Sequence, residues 1–199
     1  MERKEEAAAS LLRDGMVWMD LEMTGLNVKT DRIMEVACIV TDAQLNVVAE
    51  APEVVIHLAD EELEGMNDWC KEHHGASGLT QACRESRVTL QEAEEMMLSF
   101  VQKYTAYHTA VLAGNSIHMD KVFLAEYMPR LLDHLHYRIV DVSSLKELCK
   151  RWYPNIYDRR IEKKLKHRAL EDIKESIQEL QFYRANLFIP NDEERKQPQ

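Results

Sequence analysis

Residues Met16–Met23 alternate, with Val17, Met19 and Leu21 on one side and Trp18, Asp20 and Glu22 on the other. A period of two predicts a β-strand. Two β-rich runs follow, Ile33–Asp42 and Leu45–Leu58, joined by a short polar turn that suits a hairpin. Thr89-Leu90-Gln91-Glu92 is a capping-box pattern opening a helix that ends near Tyr104. Ala110–Asn115 reads as a strand, Ile117–His136 as one or two helices interrupted near Pro129, and Tyr137–Val142 as a short strand. Ser144-Leu145-Lys146-Glu147 predicts a second capping box at the head of a helix Ser144–Trp152. A charged loop, Pro154–Lys166, leads to a last helix from about His167 to Leu187. Its Leu170, Ile173, Ile177, Leu180, Tyr183 and Leu187 recur every three or four residues as one apolar stripe. Strands and helices in this order predict an α/β fold with a mixed central β-sheet flanked by α-helices. No repeat or proline-rich linker divides the chain, so one domain is expected over residues 16–188. A flexible arm at 1–15 precedes it, and a polar tail at 189–199 follows.

Charge narrows the ligand. The formal net charge is −10 over 199 residues, whereas a protein that tracks long nucleic acid presents a broad basic surface to displace phosphate counterions. An acidic chain holds a polyanion only through a local patch or through metal ions, which points to a short one. Cys38, Cys70, Cys83 and Cys149 form no C-x-x-C pair or zinc spacing and read as reduced thiols. No apolar run approaches the roughly 20 residues that span a bilayer. The N-terminal MERKEEAAASLLRDG is too acidic for a signal peptide or a mitochondrial presequence. Cytoplasm is the expected compartment, with the mitochondrial matrix as the alternative.

Asp20 and Glu22, two apart on a strand, send both carboxylates to one face. Like charges side by side are costly unless a cation sits between them, and magnesium or manganese prefers such oxygen ligands. A D-x-E on an edge strand can equally face water. Gly25 permits a tight turn just beyond, and Leu26 then either stands at the mouth of a site or folds back on the core. Asp120, near the start of a helix, is a ligand or a dipole partner. Asp172 lies one position off the apolar stripe and could be a surface acid. His167 and Asp172 are five residues apart, about 140° around a helix, so they converge only if His167 belongs to the loop or the first turn. A histidine there suits a general base, its ordinary pKa of about 6.5 lying near working pH.

These pieces stand in a familiar order. D-L-E-M-T-G-L at 20–26, G-N-S-I-H-M-D at 114–120 and H-R-A-L-E-D at 167–172 resemble the three motifs of the DEDD exonuclease superfamily, histidine branch. W-C-K-E-H-H-G-A-S-G-L-T at 69–80, H-Y-R-I-V-D-V-S at 136–143, K-E-L-C-K-R-W-Y-P at 146–154 and E-S-I-Q-E-L-Q-F-Y-R at 175–184 are similar to the oligoribonuclease family within it. The likeness covers about residues 16–188. It implies a ribonuclease H-like fold, a homodimer, and a 3′→5′ exoribonuclease that takes RNA of two to about five nucleotides to nucleoside 5′-monophosphates, the final step of RNA degradation. On the matching positions, Asp20, Glu22, Asp120 and Asp172 would hold two Mg²⁺ or Mn²⁺ ions, and His167 would activate the attacking water. Leu26 would wedge between bases, while Trp69, His74 and Ser116 would line the substrate slot. Ser143 would contact the far phosphate of a 5′-phosphorylated dinucleotide, joined by Tyr137 and Arg138 reaching across the dimer. Two positions depart from the family pattern: Glu171 replaces an aspartate, and the 159–166 loop (R-R-I-E-K-K-L-K) is more charged. The competing readings are a DNA-directed exonuclease with the same five residues and a non-catalytic RNA-binding protein on the same fold.

Overall fold

A computed structural model describes residues 11–160 and 168–188. In chain order the elements are β1 (Met16–Met23), β2 (Ile33–Thr41), β3 (Val47–Glu50), β4 (Val54–Val55), α1 (Asp60–Glu64), α2 (Asp68–Ala76), α3 (Leu79–Glu85), α4 (Leu90–Gln102), β5 (Val111–Gly114), α5 (Ile117–Tyr127), α6 (Pro129–His134), β6 (His136–Asp141), α7 (Val142–Trp152), α8 (Pro154–Tyr157) and α9 (Ala169–Leu187).

The strands form one mixed sheet in the order β3-β2-β1-β5-β6, with β4 also on β2. β1 runs antiparallel to β2 and parallel to β5. Each face of this sheet is covered by helices, which is why β2 is buried along its whole length. On one face Val17, Met19 and Leu21 pack with Val36, Cys38 and Val40 against α4, α5 and α6 through Met97, Val101, Phe123 and Leu131. On the other, Trp18, Ala37 and Ile39 meet α7 and α9 through Val142, Cys149, Ile173, Ile177, Leu180 and Tyr183. Most of the predicted α9 stripe is therefore core, with Leu170 and Leu187 partly buried against it. A third, smaller cluster gathers Met34 and Leu58 with Leu63, Met66, Cys70, Leu79 and Cys83 of the α1–α3 region.

Three details differ from the pattern reading. The run Leu45–Leu58 is two short strands rather than one, both on the outer edge of β2. Pro52 has no N–H for a ladder, and it lies in the gap between them. Helices α1–α3 occupy a stretch for which the sequence pattern predicts no element. And α7 begins at Val142, not Ser144. Its N-cap is Asp141, whose carboxylate accepts from Ser143 N, so the first turn is already capped and under way before Ser144 is reached.

Asp141 ties two corners together. Its Oδ1 accepts from Ser143 N at 3.0 Å and from Ser116 N at 2.9 Å. It thus joins the head of α7 to the turn between β5 and α5, where Ser116 sits in the left-handed region at φ +53°. That strained turn carries the chain into the helix bearing Asp120. Asp141→Ala should cost about 2 kcal/mol, at the upper end for a lost cap because the carboxylate's bond from Ser116 N goes with it. That is roughly 4–8 °C in Tm for a chain of this size, with Asp141→Asn losing less. Thermal unfolding of both variants measures this, and equal melting of Asp141→Ala and wild type would refute it.

Candidate active site

The alternation of β1 decides which side chains meet α9. Trp18, Asp20 and Glu22 share the face that α9 covers, and Asp172 stands in the first turn of that helix. One oxygen from each of Asp20, Glu22 and Asp172 lies within 4.8 Å of the others, all three groups half-buried. Asp120 comes from α5. The β1–β5 ladder ends at Trp18 and Ala113, and beyond it Leu21 N donates to Asp120 Oδ1 at 2.9 Å. Asp120 is buried beside the three acids rather than within their 4.8 Å set.

Burial and repulsion act together here. Burial raises the Glu22 carboxyl from 4.5 to about 8, with Asp172, Glu35 and Asp120 adding like-charge repulsion and Arg168 opposing it. Burial likewise pushes Asp120 up to about 7, partly offset by its hydrogen bond from Leu21 N. Protons held this firmly mark a place for positive charge. The donors are carboxylate oxygens alone, with no nitrogen or sulfur among the described set, which suits a hard divalent cation such as Mg²⁺ or Mn²⁺. Asp20, Glu22 and Asp172 would hold it, with Asp120 close by.

A cavity of about 460 Å³ opens beside Glu22, lined by Met23, Gly25, Leu26, Asn67, Trp69, Cys70 and His74. Leu26 and Trp69 are 68 % and 56 % exposed at its rim, so Leu26 stands at the mouth and does not fold back on the core. Gly25 is required for a close approach: a Cβ there would meet the Asp31 carboxylate, with Cγ at 2.7 Å. That carboxylate in turn accepts from Asn27 N at 2.8 Å and braces the loop carrying Leu26. His74 is buried. Its Nε2 donates to Met23 O at 3.0 Å, turning Nδ1 toward Glu22 Oε2 at 3.9 Å. Trp69 stacks on His73 with ring centroids 3.9 Å apart.

Ser116 and Ser143 meet on the far side of the β5–α5 turn. Ser143 Oγ accepts from Ser116 N at 2.9 Å and donates to Asn115 Oδ1 at 3.0 Å. Tyr137 and Arg138 lie on β6, the outermost strand on that side of the sheet among the described residues. The Arg138 guanidinium sits 5.3 Å over the Tyr137 ring, and no described contact joins either side chain to Ser143 within one protomer. His167 lies outside the described residues, as do positions 161–166 of the charged loop.

One group goes unmentioned by the motifs. Glu35, fully buried, is the cross-strand partner of Glu22. Arg168 Nη2 donates to Glu35 Oε1 and to Glu53 Oε2, each at 3.2 Å. Burial holds the Glu35 carboxyl above its ordinary range, against the opposing pull of Arg168. The signal was a lone acid inside the apolar run I-M-E-V-A-C-I-V.

Comparison with known proteins agrees with this geometry. The exonuclease family RNase_T matches residues 17–180. The chain is 55 % identical over 190 residues to the mitochondrial oligoribonuclease of Bos taurus, covering 96 % of this chain and 80 % of that one. It is 51 % identical over 189 residues to the oligoribonuclease of Corynebacterium glutamicum (strain R), covering 94 % and 86 %. Among solved structures, E. coli exonuclease I in complex with a dA16 oligonucleotide matches with a TM-score of 0.69 at 16 % identity, over 87 % of this chain and 41 % of that one. The fold is therefore ribonuclease H-like.

The raised carboxyls make stability depend on pH. The folded protein holds the Glu22 proton to about 8, whereas the unfolded chain releases it near 4.5. Stability from this group is therefore full below about 4.5 and is lost as pH rises through about 8. In chelator, Tm should fall steadily from pH 5 to pH 8.5, and saturating Mg²⁺ should restore it at pH 8.5 by binding the folded state. Glu22→Gln should flatten the chelator profile. A chelator Tm that does not change over this range would contradict the repulsive cluster.

Proposed function

The chain belongs to the oligoribonuclease family of RNase_T-type exonucleases, and on that premise we propose that it cuts RNA of two to about five nucleotides from the 3′ end by two-metal-ion catalysis. That it is a 3′→5′ exoribonuclease follows from the family; the length range and the metal count are our reading. The observation that carries it is the convergence of Asp20, Glu22 and Asp172 beside a cavity small enough for one or two nucleotides and rimmed by Leu26 and Trp69.

Bound Mg²⁺ or Mn²⁺ ions would supply Lewis-acid charge at the scissile phosphate and lower the pKa of water. The residues do the rest. Asp20, Glu22, Asp120 and Asp172 orient that charge and keep it from the bulk. Leu26 and Trp69 offer apolar contact and stacking to the bases, worth roughly 1–3 kcal/mol per base. The imidazole of His167 takes the proton of the water whose oxygen attacks phosphorus. The P–O3′ bond then breaks, releasing a nucleoside 5′-monophosphate. His74 lines the cavity, Ser116 would border the slot from the β5–α5 turn, and Ser143 would take the 5′-phosphate.

Tyr137 and Arg138 complete the phosphate cap from a second copy of the chain, in a homodimer. Three features support this role. Both side chains are exposed on an outer strand, no described contact joins them to Ser143 within one protomer, and Leu148 and Trp152 are exposed one turn apart on α7, the next element. A guanidinium suits a terminal phosphate because it forks onto two oxygens. For compartment, four free and buried cysteines fit a reducing one, either cytoplasm or mitochondrial matrix. Among the described residues no helix is long and apolar enough to cross a membrane.

Two sets of outcomes test the reading. Asp20→Ala, Glu22→Ala, Asp120→Ala and Asp172→Ala should each lose nearly all Mg²⁺-dependent hydrolysis. His167→Ala should lose roughly 10²–10⁴-fold and its acid limb. Normal turnover in any one would remove that residue from the machinery. In single-turnover assays on labelled RNAs, a 5′-phosphorylated dinucleotide should be cut much faster than a 20-mer. Arg138→Ala should narrow that gap by roughly 10- to 150-fold, as a lost charge-assisted contact of about 1.5–3 kcal/mol implies. Equal rates at all lengths in the wild type would leave a general exonuclease, and preference for single-stranded DNA would favour the DNA-directed alternative.

A further inference from the structure

The buried acid behind the site connects elements that the proposed chemistry needs in register. Glu35 is 0 % exposed, so its carboxylate must find partners inside the protein. Both of its oxygens are used at one place, the head of α9: Oε1 accepts from Arg168 Nη2 at 3.2 Å, and Oε2 faces Ala169 N at 3.4 Å. Arg168 Nη2 also reaches Glu53, on the short link between β3 and β4. Arg168 is the N-cap residue of α9 and makes no side-chain cap of its own. The cap acceptor comes instead from across the sheet. The same residue's carbonyl accepts from Asp172 N at 3.1 Å, closing the first turn. A continuous path therefore runs from β2 and the β3–β4 link, through one guanidinium, to the helical turn that presents Asp172 to Asp20 and Glu22.

The fold does not need an ion pair at this point. Ile173, Ile177, Leu180 and Tyr183 already seat α9 on the sheet, and an ion pair that desolvates a carboxylate adds little to stability compared with apolar residues of similar volume. What the pair adds is direction. Apolar packing permits small slides and rotations of a helix. A guanidinium whose Nη2 is shared by one carboxylate on β2 and another on the β3–β4 link does not. Resting on the metal-site reading above, we propose that Arg168, gripped by Glu35 and Glu53, is a positioning residue that sets where Asp172 stands among the acids.

The experiment uses the full chain and four variants: Arg168→Gln, Arg168→Lys, Glu35→Gln and Glu53→Gln. Three quantities are read from each: Mn²⁺ affinity by calorimetry, kcat and KM on a dinucleotide, and the metal-free crystal structure. Arg168→Gln and Glu35→Gln should bind Mn²⁺ roughly 10- to 100-fold more weakly, the usual scale for a lost outer partner of a metal ligand. They should lower kcat more than KM. Arg168→Lys should recover part of both losses, and Glu53→Gln, whose partner keeps Glu35, should show the smallest change. In the metal-free structures the Asp172 carboxylate should move relative to Glu22 in Arg168→Gln. A lowered Tm with wild-type Mn²⁺ affinity, wild-type kcat and an unmoved Asp172 would make the triad merely structural and overturn the proposal. Should Arg168→Gln fail to fold, Arg168→Lys and Glu53→Gln decide by the same readings. A wild type that binds no Mn²⁺ defeats the metal-site reading instead, and the position of Asp172 in the metal-free structures still judges the positioning role.

Discussion

Mutual repulsion among carboxylates at one end of β1 is the constraint around which the rest of the site is organised. Asp20 and Glu22 share a face because strand side chains alternate, and the register of β2 then sets Glu35 directly opposite Glu22. Asp172 and Asp120 arrive from helices on opposite faces of the sheet. Each added acid makes the others harder to ionise, and burial removes the water that would otherwise screen them. Among the described residues the structure answers with the Arg168 guanidinium, backbone hydrogen bonds such as that from Leu21 N to Asp120, and carboxyls held well above their ordinary range.

The same arrangement reconciles an acidic chain with an anionic substrate. Net charge of −10 gives the surface little to offer a long polyanion, whereas the acids that would hold cations stand beside a small cavity. On the function proposed above, affinity would rest on stacking, cations and end-group contacts, which a short fragment would supply in full.

Legibility in the sequence followed the strength of each local signal. Eight alternating residues in β1, a complete capping box at Thr89 and a five-turn apolar stripe in α9 are repetitive enough to read unaided, and each appears where the pattern places it. Helices α1–α3 have five to nine residues apiece with irregularly spaced apolar positions, too short for a period to emerge. The α7 start was misread because two acceptors competed for the same end, and the outcome depended on Asp141 also being needed by Ser116, a residue distant in sequence. Within the site, the D-x-E pair and Asp172 were visible as types and spacings. Glu35 and Arg168 were not joined, because 133 positions separate them and only the folded chain brings them together. Trp69 and His74 were found through family likeness alone.

Chain order has a consequence for how the enzyme comes into being. Two of the acids lie on the first strand and a third on the last helix, and β1 is central in the sheet, flanked by a strand about a hundred positions later. Contacts of such sequence separation form late and slowly. During synthesis, β1, β2 and the α4 layer can collapse early, but Trp18, Ala37 and Ile39 are fully covered only when α9 has joined α7. The acid set is therefore complete, and this apolar face closed, only once α9 has been made and has docked on the sheet.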